Sequence, residues 1–192
     1  YMQVRNQQLS VMAGNYGFGR MMVNAGRSSS CGAEITLNGT ALSDRLQWMA
    51  TYSYTHATFR EYIDSISVDG KTVPVSYKDN RVPFVPEHTF AASVSYAIPF
   101  STDMSLRLGV NTAGQGATYW DEANTISQKF YATLGAHADI SYKAATLSLW
   151  GRNLTGTHYN TFAVESAATG TAHIFAQRGN PLQIGADLRL HF

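Results

Sequence analysis

The sequence predicts an all-β fold: an antiparallel, up-and-down transmembrane β-barrel segment of about eight strands. Three observations predict it. Apolar and polar residues alternate with a period of two over long runs, such as Phe90 to Phe100, which is the signature of a strand with two unlike faces. The connections between the runs are alternately short and long, as in outer-membrane barrels. Aromatic residues collect at both ends of the runs on the apolar face, where a bilayer has its two interfaces. Composition agrees with this reading. Of 192 residues only 14% are charged while 12% are aromatic, and soluble domains carry roughly 25% charge.

The elements follow in order. A first strand, about 1–12, carries Met2, Val4 and Val11 but changes phase near Gln7-Gln8. The second (28–42) sets Ala33, Ile35 and Leu37 on one face, and the third (46–60) does so with Leu46, Trp48, Ala50, Tyr52 and Tyr54. The fourth (88–100) alternates Phe90, Ala92, Val94, Tyr96, Ile98 and Phe100 with Ser93, Ser95 and Ala97. The fifth (104–120) places Leu106, Leu108 and Val110 against Arg107 and Asn111. The sixth (128–143) places Leu134, Ala136, Ala138 and Ile140 against Thr133, His137 and Asp139. The seventh (145–160) begins with Leu147 and Leu149. The eighth (179–192) sets Ile184, Leu188, Leu190 and Phe192 against Asp187 and Arg189. Every charge within the clear runs falls on the polar face.

Residues 43–45, 101–103 and the step at 143–145 make tight turns, whereas 13–27, 61–87, 121–127 and 161–178 make long loops rich in Gly, Asn, Asp or Thr. Runs of this length exceed the typical strand of about 5–6 residues and match the about 9–11 needed to cross a membrane at a tilt. An even number of strands places both chain ends on the short-turn side. On the apolar face Trp48, Phe100, Tyr142 and Phe192 mark the short-turn rim, and Tyr54, Phe90, Trp120 and Phe130 the long-loop rim. One domain, 1–192, is expected.

Several functions are excluded. Lys and Arg total 14 against 13 Asp and Glu, a net charge of +1, without the basic surplus of a nucleic-acid binder. No stretch approaches 18 consecutive apolar residues, so no helix is expected to span a membrane. Cys31, the single cysteine, can make no intrachain disulfide, and no Cys/His spacing fits a zinc site; it reads as a small packed residue. The six histidines are scattered without metal-ligand spacing, and His88, His137 and His191 read as wet lining on or near the lumen face. Gly14-Asn15-Tyr16-Gly17-Phe18-Gly19 lacks phosphate-loop spacing. Neither a nucleophile elbow nor a paired-carboxylate constellation stands out. No metal, cofactor or catalytic residue is expected.

Longer motifs point to a family. Asn24-Ala25-Gly26-Arg27-Ser28 followed by Gly32-Ala33-Glu34-Ile35-Thr36-Leu37, then Tyr52-Ser53-Tyr54-Thr55-His56-Ala57, then Arg81-Val82-Pro83-Phe84-Val85-Pro86-Glu87-His88-Thr89, resemble barrel motifs of TonB-dependent outer-membrane receptors. Trp150-Gly151-Arg152-Asn153-Leu154-Thr155 and Arg178-Gly179-Asn180-Pro181 resemble that family's closing segment, with Asn180 where the family often has arginine. The Asn153-Leu154-Thr155 sequon reads as part of that structural motif. Leu188, Leu190 and Phe192 resemble the terminal signal read by the barrel-assembly machinery.

The resemblance implies a receptor larger than this chain: a barrel of about 22 strands filled by a plug, with a short box that engages TonB. Residues 1–192 would form its C-terminal portion, with plug, box and signal peptide expected elsewhere. It implies TonB-energised uptake of a scarce nutrient, an iron–siderophore, haem or cobalamin, across the bacterial outer membrane. Tyr62, Tyr77, Tyr119 and Trp120 in the long loops are the candidate ligand contacts. Two other classes stay open: a self-contained eight-stranded barrel acting as an adhesin or anchor, and a small outer-membrane enzyme.

Overall fold

A computed structural model describes residues 1–6, 8–12, 20–24, 26–68, 71–166 and 173–191. The expected Gly14–Gly19 loop and Phe192 lie outside the described residues. Among those described there is no helix. Sixteen strands form one large antiparallel sheet and four two-stranded ribbons.

The large sheet has eight strands: β1 (Met2–Arg5), β4 (Arg27–Ala41), β5 (Leu46–Glu61), β8 (His88–Pro99), β9 (Met104–Gln115), β12 (Tyr131–Tyr142), β13 (Ala145–Arg152) and β16 (Gln183–Leu190), hydrogen-bonded in that order. The sheet is open: β1 and β16 stand at opposite ends of the order. The ribbons rise from the long loops: β2 (Gln8–Met12) with β3 (Arg20–Asn24), β6 (Ile63–Val68) with β7 (Lys71–Ser76), β10 (Thr118–Tyr119) with β11 (Ser127–Gln128), and β14 (Asn160–Ser166) with β15 (His173–Arg178).

Register fixes the two faces. Side chains alternate along each strand and directly opposed residues share a face, so the pairing can be followed across the sheet. One row runs Gly39, Trp48, Val94, Val110, Ala136, Gly151 and Ile184, and another Leu46, Tyr96, Leu108, Ala138, Leu149 and Ala186. On the opposite face lie rows of Thr36, Thr51, Ala91, Ala113 and Thr133, and of Ala97, Arg107, Asp139, Ser148 and Asp187. The first face is hydrocarbon and the second polar, as the alternation predicts.

Within the large sheet, rings sit over glycines at four places. A Cβ on Gly39 would meet Trp48 Cζ2 at 2.8 Å and one on Gly114 would meet Phe90 at 2.7 Å; Gly109 and Gly185 are covered more tightly still by the rings of His137 and Trp150. A ring laid over a glycine covers its bare backbone and helps to pin register. Trp150 is fixed further on the polar face: its Nε1 donates to Asp187 Oδ2 at 2.6 Å, and the Arg152 guanidinium lies over its ring at 4.9 Å.

Several expectations need correction, among them Cys31, which is exposed and not packed, and the strand expected over 104–120, which ends at Gln115. The first strand breaks where its phase changes, with Asn6 at φ 53°, and β2 pairs away from the sheet with β3. β1 pairs only with Arg27–Ser30, the long-loop end of β4, so Tyr1 lies well above the short-turn rim; the other end behaves as expected, with His191 N–H donating to Ala144 O. The strand expected over 145–160 stops at Arg152 because Asn153 turns to φ 47°. His88 lies on the apolar face and not in the lumen, because it pairs with Tyr54 and is in phase with Phe90. Tyr52 Oη lies 2.7 Å from its Nδ1, so polar edges meet at the interfacial belt.

Candidate functional site at the long-loop rim

Among the described residues no cluster of three or more His, Cys, Asp or Glu could hold a metal. A hollow of about 940 Å³ lies on the sheet, but most of its lining belongs to the apolar face, Val94, Leu108, Leu149 and Ile184 included, with Ser95, His137 and Trp150 also present. It is part of the hydrocarbon-facing surface. The loops above the sheet carry the organised polar structure.

Beyond Tyr54, β8 no longer flanks β5. The segment 77–87 takes over that edge: Thr55 N–H donates to Glu87 O (2.8 Å), Val82 N–H to Ala57 O (3.1 Å) and Phe59 N–H to Asn80 O (3.0 Å). Under it sits the small core of the rim, formed by Ala57, Phe59, Tyr62 and Val82 with Tyr77 and Val85 packed on it. Phe59 is fully buried and Tyr62 only 3% exposed. Tyr62 meets Phe59 and Tyr77 edge to face, at centroid distances of 5.0 and 5.3 Å. Burial first, and the charge of Asp64 second, push its phenol well above the usual 10.0; the ring is held neutral.

The 81–88 motif is a clasp. Arg81 pairs with Glu87 and donates from Nη1 to His56 Nδ1 at 2.9 Å. The hydrogen bond from Arg81 holds the Glu87 carboxyl below its usual 4.5. Phe84 sits in the left-handed region at φ 64°, a genuine outlier for a bulky residue. Its N–H donates to Tyr119 O at 2.8 Å, and its ring, 46% exposed, stacks at 6° on that of Phe162.

The next loop is ordered by Asp121, whose two oxygens accept from Ile126 N–H (2.8 Å), Thr125 N–H (3.0 Å) and Thr125 Oγ1 (2.6 Å). Trp120 N–H donates to Ile126 O at 2.9 Å, so Trp120 belongs to this loop and not to β9. Farther round, Tyr131 and Tyr159 stack at 4.2 Å, and Gln128 Oε1 accepts from Asn160 N–H.

Asn153 explains the closing motif. It is 6% exposed; its Nδ2 donates to Thr157 O at 2.9 Å and Asn180 O at 3.0 Å, and its Oδ1 accepts from Thr157 N–H at 2.9 Å. Its side chain ties the turn after β13 to the start of the last strand, which is the work of a structural motif and leaves no amide for a glycan.

The four candidate aromatics therefore occupy different settings. Tyr62 is buried, Tyr77 packs against it half-buried, and Tyr119 and Trp120 lie half-buried on the neighbouring loop. Leu188 and Leu190 point outward on the apolar face of β16. Sequence reasoning missed His56, Asp121 and Asn124. The signal available for the last two was the Asp121-Glu122-Ala123-Asn124-Thr125 run, whose composition suits side-chain-capped turns.

Comparison with known proteins bears on this geometry. The sequence matches the TonB dependent receptor-like β-barrel family over residues 1–154. The ferric yersiniabactin uptake receptor FyuA from Yersinia pestis is similar with a TM-score of 0.76 and 22% identity, over 99% of this chain and 26% of that one. The siderophore receptor PiuA from Acinetobacter baumannii is similar at 0.71 and 22%, over 98% and 25%. BauA, the ferric preacinetobactin receptor of the same organism, is similar at 0.58 and 15%, over 95% and 25%. The chain spans about a quarter of the length of these receptors. Receptors of this family sit in the bacterial outer membrane and take a small-molecule ligand, with TonB acting through a plug domain. An open eight-stranded sheet with one hydrocarbon face, joined above by packed loops, is what such a barrel looks like in part, and the chain belongs to the TonB-dependent receptor β-barrel family.

Proposed function

We propose that the chain is the C-terminal portion of an outer-membrane receptor barrel of about 22 strands, and that the receptor imports a ferric siderophore with energy from TonB. The observation that carries this reading is the alignment of nearly the whole chain with a quarter of a siderophore receptor, in a sheet whose end strands, β1 and β16, do not pair with each other among the described residues. Free edges of long strands invite further pairing, and additional barrel strands supply it. A self-contained small barrel would require β1 to pair with β16, and the strand order sets them apart.

In this reading the polar face, with Arg107, Asp139, Trp150 and Asp187, packs on a plug domain, and the apolar face meets lipid. Tyr77, Tyr119 and Trp120 offer ring faces to the ligand, while Tyr62 holds Tyr77 in place from below. Leu188, Leu190 and Phe192 serve the assembly machinery. The role is transport and not catalysis.

The test is uptake by cells whose other siderophore receptors are deleted, carrying the full-length gene and offered a panel of iron-55-labelled siderophores and haem and of radiocobalt-labelled cobalamin. Accumulation of one ferric siderophore that vanishes in a tonB deletion is the expected result. Uptake of haem or cobalamin alone, or uptake indifferent to TonB, would overturn it.

A further inference from the structure

The bases of the neighbouring long loops are joined by side-chain to backbone bonds centred on one residue. Arg81 N–H donates to Asn124 Oδ1 at 2.7 Å, and Asn124 Nδ2 donates back to Arg81 O at 3.0 Å and to Asp121 O at 3.1 Å. This reciprocal pair is what a β-bridge makes between adjacent strands, here made by a primary amide, the neutral side chain that offers a planar donor and acceptor together. Asn124 stands at φ 60°, a conformation asparagine enters more readily than most residues. Around it Asn80 Nδ2 donates to Glu122 O at 2.8 Å, and Phe84 N–H donates to Tyr119 O.

We propose that Asn124 is a positioning residue that couples the order of the 77–87 segment to that of the 116–127 loop. The inference rests on the rim being the outward, ligand-facing end of a receptor, as proposed above. Two loops that order separately each carry their own conformational cost. Two loops joined at Asn124 order together, and the restraint is reciprocal. A ligand that stills the loop of Tyr119 and Trp120 thereby stills the segment of Tyr77 and Phe84. Aspartate at this position keeps the acceptor and loses the donor, and glycine keeps the left-handed backbone and loses both.

The test needs no ligand, so its failure is distinguishable from failure of the siderophore reading. Hydrogen exchange is followed in the full-length receptor in lipid nanodiscs, for wild type, Asn124→Gly and Asn124→Asp. The amides to read are Val82 and Phe84, whose own acceptors, Ala57 O and Tyr119 O, are not on Asn124. The expected result is a tenfold or greater rise in their exchange in Asn124→Gly, a smaller rise in Asn124→Asp, and none at Val94 and Tyr96 in β8. A rise confined to 121–126 would overturn the proposal, since Asn124 would then close only its own turn. An equal rise throughout β8 would also overturn it, since the effect would then be on global stability. If Asn124→Gly fails to insert, Asn124→Asp is judged by the same readings.

Discussion

In the spanning sheet, main-chain pairing sets position and side chains only choose a face; at the long-loop rim, side chains themselves hold the backbone. Eleven consecutive residue pairs, from Thr89 to Pro99, run against β9 without a slip. The rim over a similar length depends on side chains: Asp121 ties its own loop, while Arg81 and Asn124 bond across 43 residues of sequence and Arg81 reaches His56 across 25. The difference follows from solvent. Inside hydrocarbon every backbone polar group must find a backbone partner. Above the membrane water can satisfy backbone groups, so specific side chains must outcompete it to fix one conformation.

The largest expected effect lies in the sheet. Leu134→Arg or Leu108→Arg places a charge on the hydrocarbon face and should cost about 2–4 kcal/mol of folding into a bilayer. Thr133→Arg and Ser93→Arg, one residue from the apolar positions and on the polar face, should cost far less. Urea titration of the receptor in liposomes measures both. Similar losses at Leu134 and Thr133 would break the distinction between faces.

Gly185→Val comes next. Its side chain would overlap the Trp150 ring, which is held by Asp187 and Arg152 and cannot withdraw freely, so a loss of about 1–3 kcal/mol is expected from overpacking. A stability equal to wild type in the same titration would mean that Trp150 turns aside. At the rim, Asn153→Ala removes three hydrogen bonds from a buried site and should cost about 1–2 kcal/mol, seen as faster proteolysis between 153 and 160. Protease resistance equal to wild type would show that the turn holds without its amide.

These effects also mark what sequence could reveal. Seven of the eight sheet strands were legible because a period of two, bounded by tight turns, permits one register; the first, expected over 1–12, keeps only Met2–Arg5 in the sheet, and the phase change at Gln7-Gln8 falls near its end. The ribbons were less legible because they rise from the loops, where no hydrocarbon face imposes strict alternation. Val68 pairs with Lys71, leaving Asp69-Gly70 between them, a strong hairpin dipeptide that could have located β6 and β7. His88 was misplaced because histidine reads as lumenal, although its even number sets it beside Tyr52 and Tyr54. The clasp of His56, Arg81 and Glu87 spans 31 residues of sequence and left no local pattern.

The smallest expected effect is a titration. Arg81 lowers the Glu87 carboxyl below its usual 4.5, so the clasp contributes stability above that pH and loses it as pH falls through the lowered value. Acid should therefore loosen the rim before the sheet, with proteolysis at 77–87 rising as pH falls below 4.5 and Glu87→Gln abolishing the pH dependence. An unchanged profile in Glu87→Gln would assign the loosening to another group.

The division into a lipid face and an inner face is tested most directly by a spin-label scan along β12 in the full-length receptor in bilayers, with single cysteines from 132 to 139 on a Cys31→Ser background. Oxygen accessibility should peak at 132, 134, 136 and 138 and fall at the four positions between them. A scan without a period of two, or one with its maxima at 133, 135, 137 and 139, would contradict the account.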